Sequence, residues 1–546
     1  MSLIKAAELF VRCLEHEGVE YVFGVPGEEN LDVMDALLDS RIQFITTRHE
    51  QGAAFMADVY GRLTGKPGVC LATLGPGATN LITGVADANM DNAPLVAIAG
   101  QADTDRLHKE SHQVLKLDEM FQHITKYSTR ILNPNVINEV VRKAFKLALT
   151  EKKGATFIEF PENIAKLPVD AAPLPIKHPH LSEPASEQVT AAAALIAQAK
   201  MPIILAGNGV IRSSACEALV AFAEQLNIPV ANTFMAKGVM PFRHSLALGS
   251  VGLQAKDYTN VGFAKADVII CVGYDLVEYH PKLWNVDKTS AVIHIDMVSA
   301  EVDAHYPVTI GVIGNIKHAL LRIAKQSTAH QGYMMRPLRD ALINDMKAHS
   351  HDSVFPPKPQ KIIWDLRTAL ASDDVVITDV GAHKMWMARM YRCDKPNTCI
   401  ISNGFASMGI AVPGALAAKL VYPKKAVVAV TGDGGFLMNS QEIETAVRLK
   451  LAMVILIWND SGYGLIEWKQ MNQFNRPSNV AFGNPDFIQY AESFGAKGYR
   501  IEKTEELLPV IKKALADDTV SIIDCPVDYS ENLKLTEQLG DMVCPI

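Results

Sequence analysis

The sequence predicts an α/β protein with three doubly wound domains, each built on a parallel sheet. The chain has 546 residues, a length that suggests about three domains. Short apolar runs alternate with helical patterns throughout, which is typical of parallel sheets covered by helices on both faces. Two proline-rich stretches, 169–188 and 351–361, divide the chain into three segments of similar character.

Each segment contains apolar runs that end in glycine-rich or polar turns. We expect a first domain over residues 1–170, a central domain over 186–335 and a third over 355–530, with a C-terminal tail, 531–546. The predicted strands lie in "YVFGVPG" and "GVCLATLGPG", in "PIILAGNG", "DVIICVGYD" and "AVIHID", and in "VVITDVG", "AVVAVTGDG", "MVILIWNDSG" and "VSIIDCP". In such sheets ligands bind beyond the carboxyl ends of the strands, where these turns fall.

Composition and charge exclude several functional classes. Hydrophobic residues make up 49% and charged residues 21%, as in an ordinary soluble enzyme. A net charge of −8 without a long basic run argues against a nucleic-acid surface. No apolar stretch approaches a membrane span, and "MSLIKAAELFVRCLEHEG" is typical of an amphipathic helix rather than a signal peptide, so we expect a cytoplasmic protein.

The eight cysteines do not form a disulfide framework or a zinc motif. They are scattered along the chain, no CxxC pair occurs, and the nearest two are Cys393 and Cys399. We therefore expect reduced, mostly structural thiols.

An aspartate among glycines raises the first functional question. In "AVVAVTGDGGFLMNSQEIETAV", residues 426–447, Asp433 lies where an apolar strand meets a helical pattern. Free N–H groups and the helix dipole favour a phosphate at such a point, and a carboxylate beside a phosphate requires a divalent cation between them. On its own the pattern also fits an ordinary Gly-Asp turn.

A second aspartate follows the next predicted strand. "AMVILIW" ends in "NDSGYG", and adjacent parallel strands would bring Asp460 to the same sheet edge as Asp433. Two carboxylates, a backbone carbonyl of the "SGYG" turn, phosphate oxygens and water would suit Mg²⁺. The alternative is that Asp460 only caps the turn.

Together, "GDGG" and "WND" resemble the motif of thiamine-diphosphate-dependent enzymes. The usual second position of that motif is asparagine, and Asp460 is an acidic variant. The resemblance implies that Asp433, Asp460 and the carbonyl of Gly462 bind Mg²⁺ together with thiamine diphosphate. It also implies that the first and third domains are the pyrimidine-binding and pyrophosphate-binding domains of that family.

A glutamate in the first segment resembles the residue that activates this cofactor. "RHEQGAAFMADVYGRLTGKPGV" is similar to an element of the acetohydroxyacid synthase and pyruvate oxidase group, in which the glutamate at the position of Glu50 assists loss of the cofactor's C2 proton. Read alone, Glu50 is an acid favoured by a helix N-terminus.

Two further elements carry cofactor contacts by the same resemblance. In "SNGFASMGIAVPGALAAK" it implies that Met408 supports the bent cofactor and that the Ala406 carbonyl meets the 4′-amino group, although Met408 alone would be read as a core residue. In "DVGAHKMWMARMY" it places Gly381, Ala382 and His383 near the diphosphate, with Lys384 replacing a more usual glutamine. The remaining implied contacts are Gly434, Gly435, Tyr463, Gly464 and Ile466.

The resemblance is nearest to acetolactate synthases of the catabolic type. The segments "GYDLVEYHPKLWN", "WNDSGYG", "QYAESFGAKG" and "IIDCPVDYSEN" carry it, so that it covers nearly the whole chain. It implies condensation of two pyruvates to 2-acetolactate and CO₂ through a hydroxyethyl-thiamine-diphosphate enamine. Lys469 stands where relatives that accept 2-ketobutyrate have tryptophan, so pyruvate is the expected acceptor. The resemblance to the catabolic type also implies no FAD, which the anabolic relatives carry in the middle domain, and a strand-to-helix turn explains "GNGV" at 207–210.

The implied substrate contacts come from several loops. Val25, Pro26 and Gly27 are expected to line the substrate pocket together with Gln470. Gln113 is the expected substrate contact in "SHQ", and His112 is either a catalytic neighbour or a solvated loop residue.

Rival interpretations share the same cofactor residues. They are a pyruvate oxidase, a 2-keto acid decarboxylase, and a non-catalytic thiamine-diphosphate-binding protein, against which Glu50 argues. The resemblance implies a homodimer or homotetramer with active sites at the subunit interface. A fermentative and a biosynthetic role both remain open.

Overall fold

The computed structural model describes residues 3–177, 181–252, 258–331 and 335–532. It contains three six-stranded sheets in which all neighbouring strands are parallel, so the predicted fold class is confirmed. The expected tail begins at residue 531, and 533–546 lie outside the described residues.

The first domain is built on a sheet with the strand order β3-β2-β4-β5-β7-β6. Its strands, which include a short antiparallel pair β1–β8, are β1 (Ile4–Lys5), β2 (Tyr21–Gly24), β3 (Gln43–Thr46), β4 (Gly68–Ala72), β5 (Leu95–Gln101), β6 (Tyr127–Arg130), β7 (Ala155–Pro161) and β8 (Pro168–Val169). Its helices are α1 (Ala6–His16), α2 (Leu31–Leu38), α3 (Glu50–Thr64), α4 (Pro76–Met90), α5 (Leu117–Gln122), α6 (Ile137–Leu149) and α7 (Glu162–Ala165).

The central domain follows with the strand order β11-β10-β9-β12-β13-β14. Its strands are β9 (Pro202–Ala206), β10 (Val230–Asn232), β11 (Ala247–Ser250), β12 (Val268–Val272), β13 (Ala291–Asp296) and β14 (Val308–Ile313). Its helices are α8 (Ser186–Gln198), α9 (Gly209–Arg212), α10 (Cys216–Leu226), α11 (Tyr258–Lys265) and α12 (Ile316–Ala324), and α13 (Arg336–Ala348) leads towards the third domain.

The third domain has the strand order β16-β15-β17-β18-β20-β19. Its strands are β15 (Val375–Thr378), β16 (Cys399–Ile401), β17 (Val427–Gly432), β18 (Val454–Asn459), β19 (Lys497–Arg500) and β20 (Ser521–Pro526). Its helices are α14 (Pro359–Ala369), α15 (Ala382–Met390), α16 (Ala411–Val421), α17 (Asp433–Asn439), α18 (Glu442–Arg448), α19 (Gly464–Phe474), α20 (Phe487–Ser493) and α21 (Leu507–Leu515). Short 3₁₀ helices elsewhere are Glu28–Asn30, Thr104–Arg106, Pro134–Val136, Pro281–Leu283 and Thr504–Glu506.

The first and third domains share one continuous hydrophobic core. Helix α3 packs against α16, and both are rich in alanine and glycine, which lets the two backbones approach closely. A Cβ on Gly414 would come within 2.9 Å of the Val59 side chain, so this packing depends on the glycine. The shared core therefore fixes α3, with Glu50 at its start, relative to the third domain.

Two further expectations can be compared with the structure. Helix α1 buries Leu9, Phe10 and Leu14 on one face, as the predicted amphipathic pattern requires. The seven cysteines within the described residues are free thiols, and six of them are buried. None of the helices in the described ranges has both the length and the apolar character needed to cross a bilayer.

Candidate cofactor and metal site

A cavity lies at the carboxyl edge of the third-domain sheet, where the segments after β15, β16, β17, β18 and β20 converge. Every predicted metal ligand and every predicted cofactor contact except Glu50 lines it. These residues are Gly381, Ala382, His383, Ala406, Met408, Asp433, Gly434, Gly435, Asp460, Gly462, Tyr463, Gly464 and Ile466. Sequence reasoning missed four other lining residues: Val380, Gly432, Leu465 and Tyr529.

The two aspartates meet because their strands are neighbours. Gly432 of β17 pairs with Trp458 of β18, so Asp433 and Asp460 leave the sheet side by side, as the sequence predicts. Asp433 is 1% exposed, and burial raises its pKa. Burial, followed by the charge of Asp433, raises the pKa of Asp460 to about 7. Two crowded carboxylates of this kind are the environment in which a divalent cation is favourable.

Asp433 is held by donors on two sides. Its Oδ1 accepts the Gly434 N–H over 2.9 Å, and its Oδ2 accepts the Ser461 N–H over 2.7 Å. Asn484, which the sequence did not indicate, donates from Nδ2 to Asp433 Oδ2 over 2.7 Å and to Asn459 Oδ1 over 3.1 Å. The loop that carries Asn484 is tied down where the Phe482 N–H donates to the Ser461 carbonyl. Such contacts orient a ligand before a metal binds.

Two glycines leave space for polar groups at this edge. A Cβ on Gly464 would come within 2.3 Å of Asp460 Oδ2, and one on Gly434 within 2.9 Å of the Tyr463 ring. Within the described ranges no group of three His, Cys, Asp or Glu side chains could hold a metal ion. The donors are two carboxylates and backbone oxygens, a hard-oxygen set that leaves room for phosphate oxygens in a Mg²⁺ shell.

His383 lies in the first turn of α15 at the same edge. Its ring packs 6.2 Å from the Trp458 ring, and a Cβ on Gly381 would come within 2.8 Å of it. Burial lowers the pKa of His383 to about 3, so the imidazole is neutral. Its Nε2 is buried and has no hydrogen-bond partner among the described residues, which suits contact with a bound ligand. Lys384, next in the helix, is 6% exposed, and burial lowers its pKa to about 8.

The loop that carries Ala406 and Met408 is held from the third domain by Asp379. This buried carboxylate accepts the N–H groups of Gly409 at 2.9 Å and of Ala411 at 3.0 Å. Burial raises the pKa of Asp379 to about 6. Ala406 has a φ of 56°, a left-handed conformation that strains a residue with a Cβ, so the loop needs such support.

The first domain holds the other side of this loop through Asp87 of α4 and Asp91, which follows the helix. Asp91 accepts the Asn403 N–H over 3.0 Å and the Gly404 N–H over 2.5 Å. Asp87 accepts the Ser402 hydroxyl over 2.6 Å. No sequence pattern distinguishes these acids from ordinary polar residues of a helix and the turn after it.

Arg62 of α3 forms ion pairs with those two aspartates and with Asp58. Its guanidinium lies 2.7 Å from Asp58, 2.9 Å from Asp87 and 2.8 Å from Asp91. It also donates to the Ile401 carbonyl over 3.1 Å. The cluster of Arg62, Asp58, Asp87 and Asp91, which we call the Arg62 cluster, links the first domain to the loop that carries Ala406 and Met408.

Glu50 does not line the cavity. It begins α3, its Oε2 accepts the Asn80 amide over 3.0 Å, and its Oε1 faces Gly77 at the start of α4. The N–H groups of Arg48 and His49 donate to Glu442 of the third domain, which fixes the start of the helix.

The predicted substrate loops follow strands of the first-domain sheet and lie at its carboxyl edge, as Glu50 does. Gly27 packs on the Thr73 side chain, and Gly75, with a φ of 53°, leaves room for Gln113. Gln113 itself has a φ of 58°, and its neighbour His112 is exposed. Val25, Pro26 and Gly27 follow β2 directly. Glu50 and these loops form what we call the first-domain half-site.

The Gln470 side chain forms two hydrogen bonds with the backbone of Ser478. Its side-chain oxygen accepts the Ser478 N–H over 2.7 Å, and its amide donates to the Ser478 carbonyl over 3.1 Å. It lies on α19 but not among the residues that line the cavity.

Comparison with protein families agrees with this geometry. The model described as "Thiamine pyrophosphate enzyme, N-terminal TPP binding domain" matches residues 4–123. The central domain of the same family matches residues 189–323, and its C-terminal TPP binding domain matches 379–525.

Individual relatives are similar over nearly their whole length. An acetolactate synthase of Bacillus subtilis (strain 168) is 38% identical, over 99% of this chain and 98% of its own. A catabolic acetolactate synthase of Raoultella terrigena is 36% identical, over 98% and 97%. A probable acetolactate synthase large subunit of Methanocaldococcus jannaschii is 34% identical, over 100% and 96%.

Proposed function

Because this chain belongs to the thiamine pyrophosphate enzymes, and among them to the family of the acetolactate synthases, we propose that it condenses two molecules of pyruvate to 2-acetolactate and CO₂. The observation that carries this proposal is the third-domain cavity, which brings together residues from the segments after five different strands. When bound, thiamine diphosphate supplies a carbon that accepts the electrons released as pyruvate loses CO₂.

The chain's own residues would hold the cofactor and its metal. Asp433, Asp460 and the Gly462 carbonyl would bind Mg²⁺, and the start of α15 would receive the diphosphate. The orphaned Nε2 of His383 supports a ligand contact at that point. Ala406 and Met408 would contact the pyrimidine ring from the strained loop.

The first-domain half-site would supply the proton chemistry. Glu50, oriented by Asn80, would hydrogen-bond the pyrimidine and assist proton loss at the reactive carbon. Because Glu50 does not line the cavity of its own chain, we propose that two copies form each active site, in a homodimer or homotetramer.

Substrate selection is assigned to loops of both domains. Gln113 would contact pyruvate, beside Val25, Pro26 and Gly27, and His112 would be its solvated neighbour. Gln470, which holds the turn at Ser478 through two hydrogen bonds, would line the substrate pocket from α19. A site of this kind must exclude water so that carbon–carbon bond formation competes with aldehyde release.

We propose that catalysis requires no FAD. The turn at Gly207–Gly209, where a dinucleotide phosphate would lie, is taken by an internal carboxylate: Glu278 accepts the Asn208 N–H over 3.0 Å. The buried Glu278 also accepts the Thr233 hydroxyl, and burial raises its pKa to about 8. A carboxylate in this position competes with a phosphate. We further propose a cytoplasmic location.

The decisive experiment is incubation of the purified protein with pyruvate, Mg²⁺ and thiamine diphosphate, without FAD. We expect acetolactate as the main product, with little acetaldehyde or acetyl phosphate. Acetaldehyde as the main product would assign a 2-keto acid decarboxylase, and a requirement for FAD with acetyl phosphate formation would assign a pyruvate oxidase. Binding of the cofactor without any turnover would assign a non-catalytic binding protein.

A further inference from the structure

A second cavity, of about 340 Å³, lies where α13 and the loop after β10 meet the third domain. Most of its charged lining residues are cationic. They are Arg243, Arg339, Lys347, Arg367 and Arg392, with the single carboxylate Asp394. We call it the basic groove. Five cations around one cavity are notable in a chain whose net charge is −8, because nearby like charges repel unless anions lie between them.

The acids near the groove do not pair with Arg243, Lys347 or Arg392. Asp394 Oδ1 accepts the backbone N–H of Arg243 over 3.0 Å. Asp345 of α13 is paired with Arg389, at 2.8 Å, outside the groove lining. Within the described part of the chain, the side chains of Arg243, Lys347 and Arg392 form no ion pair.

Two of the arginines are fixed by neutral groups. Arg339 donates to the Phe242 carbonyl over 2.8 Å, and Arg367 donates to the Tyr391 hydroxyl over 2.8 Å and to the Leu370 carbonyl over 2.7 Å. The bonds of Arg367 hold its guanidinium in position without cancelling its charge.

Arg392 is preorganised in another way. Its guanidinium carbon lies 4.3 Å from the centroid of the Trp364 ring, so the two planar groups are in contact. Burial, followed by the charge of Arg367, lowers the pKa of Arg392. Holding a cation there costs free energy that a bound anion would recover.

We propose that the basic groove binds a small polyanion of the polyphosphate class, at a site separate from the cofactor cavity. Planar guanidinium groups bind phosphate oxygens in pairs, and the concave shape and volume fit a small molecule rather than a flat protein surface. The groove bridges the central and third domains, so its ligand would contact both.

Binding should be measured on the holoenzyme, with thiamine diphosphate and Mg²⁺ saturating so that the cofactor cavity is filled. The probes are inorganic tripolyphosphate and ATP, titrated by calorimetry. We expect the double variant Arg243→Gln/Arg392→Gln to bind at least about tenfold more weakly, because it loses two charge-assisted contacts. The double variant Lys317→Gln/Lys424→Gln, which removes two exposed charges elsewhere, should bind as the unmodified protein does.

The outcomes separate clearly. Binding that only the groove variant weakens supports the site, and tighter binding of ATP than of tripolyphosphate assigns a nucleotide. Absence of binding by both probes, or equal weakening in both double variants, overturns the proposal. Arg243→Gln alone, at an exposed side chain, provides a variant that should fold and still bind less tightly. None of these readouts depends on turnover of pyruvate.

Discussion

Asn484 Nδ2 donates to Asp433 Oδ2 over 2.7 Å, so an amide from a distant loop orients the first proposed metal ligand. We expect Asn484→Ala to weaken Mg²⁺ binding about tenfold or more, since loss of a contact that orients a ligand typically has this effect. The measurement is the Mg²⁺ concentration that half-restores cofactor binding. Asn472→Ala, at an exposed position of α19, is the control, and equal Mg²⁺ requirements in both variants would contradict the assignment.

Gly464 tests the space around the second ligand. A Cβ at Gly464 would lie 2.3 Å from Asp460 Oδ2, so Gly464→Ala must displace that carboxylate. We expect at least about a tenfold loss of Mg²⁺ affinity. Gly483, in the adjacent loop, has nothing within 4 Å of an added Cβ, and Gly483→Ala should leave Mg²⁺ binding unchanged. A Gly464→Ala protein with normal affinity would exclude Asp460 as a ligand.

A substitution at Asp91 tests how the first domain supports the loop that carries Ala406 and Met408. Asp91→Asn removes the charge that pairs with Arg62 and weakens the bonds to the N–H groups of Asn403 and Gly404. We expect weaker thiamine diphosphate binding and a loss of stability of about 3 kcal/mol, as for other broken buried pairs. Fluorescence titration and urea unfolding measure the two effects. Asp105→Asn serves as the exposed control, and full cofactor affinity in Asp91→Asn would show that the loop holds its shape without this contact.

Lys384 gives a prediction for the pH dependence of stability. Its pKa is lowered from an ordinary 10.5 to about 8 in the folded chain. Between these values the unfolded chain keeps a proton that the folded chain has lost, so this residue makes stability rise with pH. Below pH 8 the full penalty of burying the charge applies, and Lys384→Met should raise the free energy of unfolding at pH 7 by up to about 3 kcal/mol.

The advantage of Lys384→Met should shrink as the pH approaches 10. Urea unfolding at pH 7 and at pH 9.5 compares the variant with the unmodified protein. Lys424→Met, at an exposed position, should show no such difference. A variant that is less stable at pH 7 would mean that the ammonium group is more strongly paired than its burial suggests.

The shared active site can be tested by mixing two inactive proteins. We expect Glu50→Gln to lose most turnover while it still binds cofactor, and Asp433→Ala to lose Mg²⁺ binding. If each site combines Glu50 of one chain with Asp433 of another, mixed dimers contain one intact site. Random reassociation should then recover about a quarter of the normal activity. Turnover that stays at the level of the separate variants after verified subunit exchange would place both residues in one chain's site.

Sequence patterns predicted the parts of the structure that depend on local chemistry. Buried strands such as Val427–Gly432 and Val454–Asn459 are continuous apolar runs, and the acids that follow them lie where parallel pairing requires. Strands at or near the sheet edges, such as Tyr127–Arg130 and Lys497–Arg500, are short and polar, so no apolar run marks them.

Such patterns could not predict the residues that hold the site in position. Asn484 and Asp91 act through contacts with residues far away in the chain, and nothing in their neighbourhoods distinguishes them from surface residues. The hydrogen bonds of Gln470 to Ser478 were likewise not indicated by the sequence, and its place in the substrate pocket stays a prediction. Burial and partners decide such roles, and both are properties of the folded chain.

The Arg62 cluster also constrains the order of events during biosynthesis. Residues 402–411 emerge from the ribosome long after α3, α4 and Asp91, yet these earlier residues supply the acceptors and the arginine that contact the loop. A third domain that folded by itself would keep its own glycines and aspartates. It would lack the contacts from Arg62, Asp87 and Asp91 that hold the loop in shape. Tight cofactor binding would therefore indicate that the first and third domains have packed against each other.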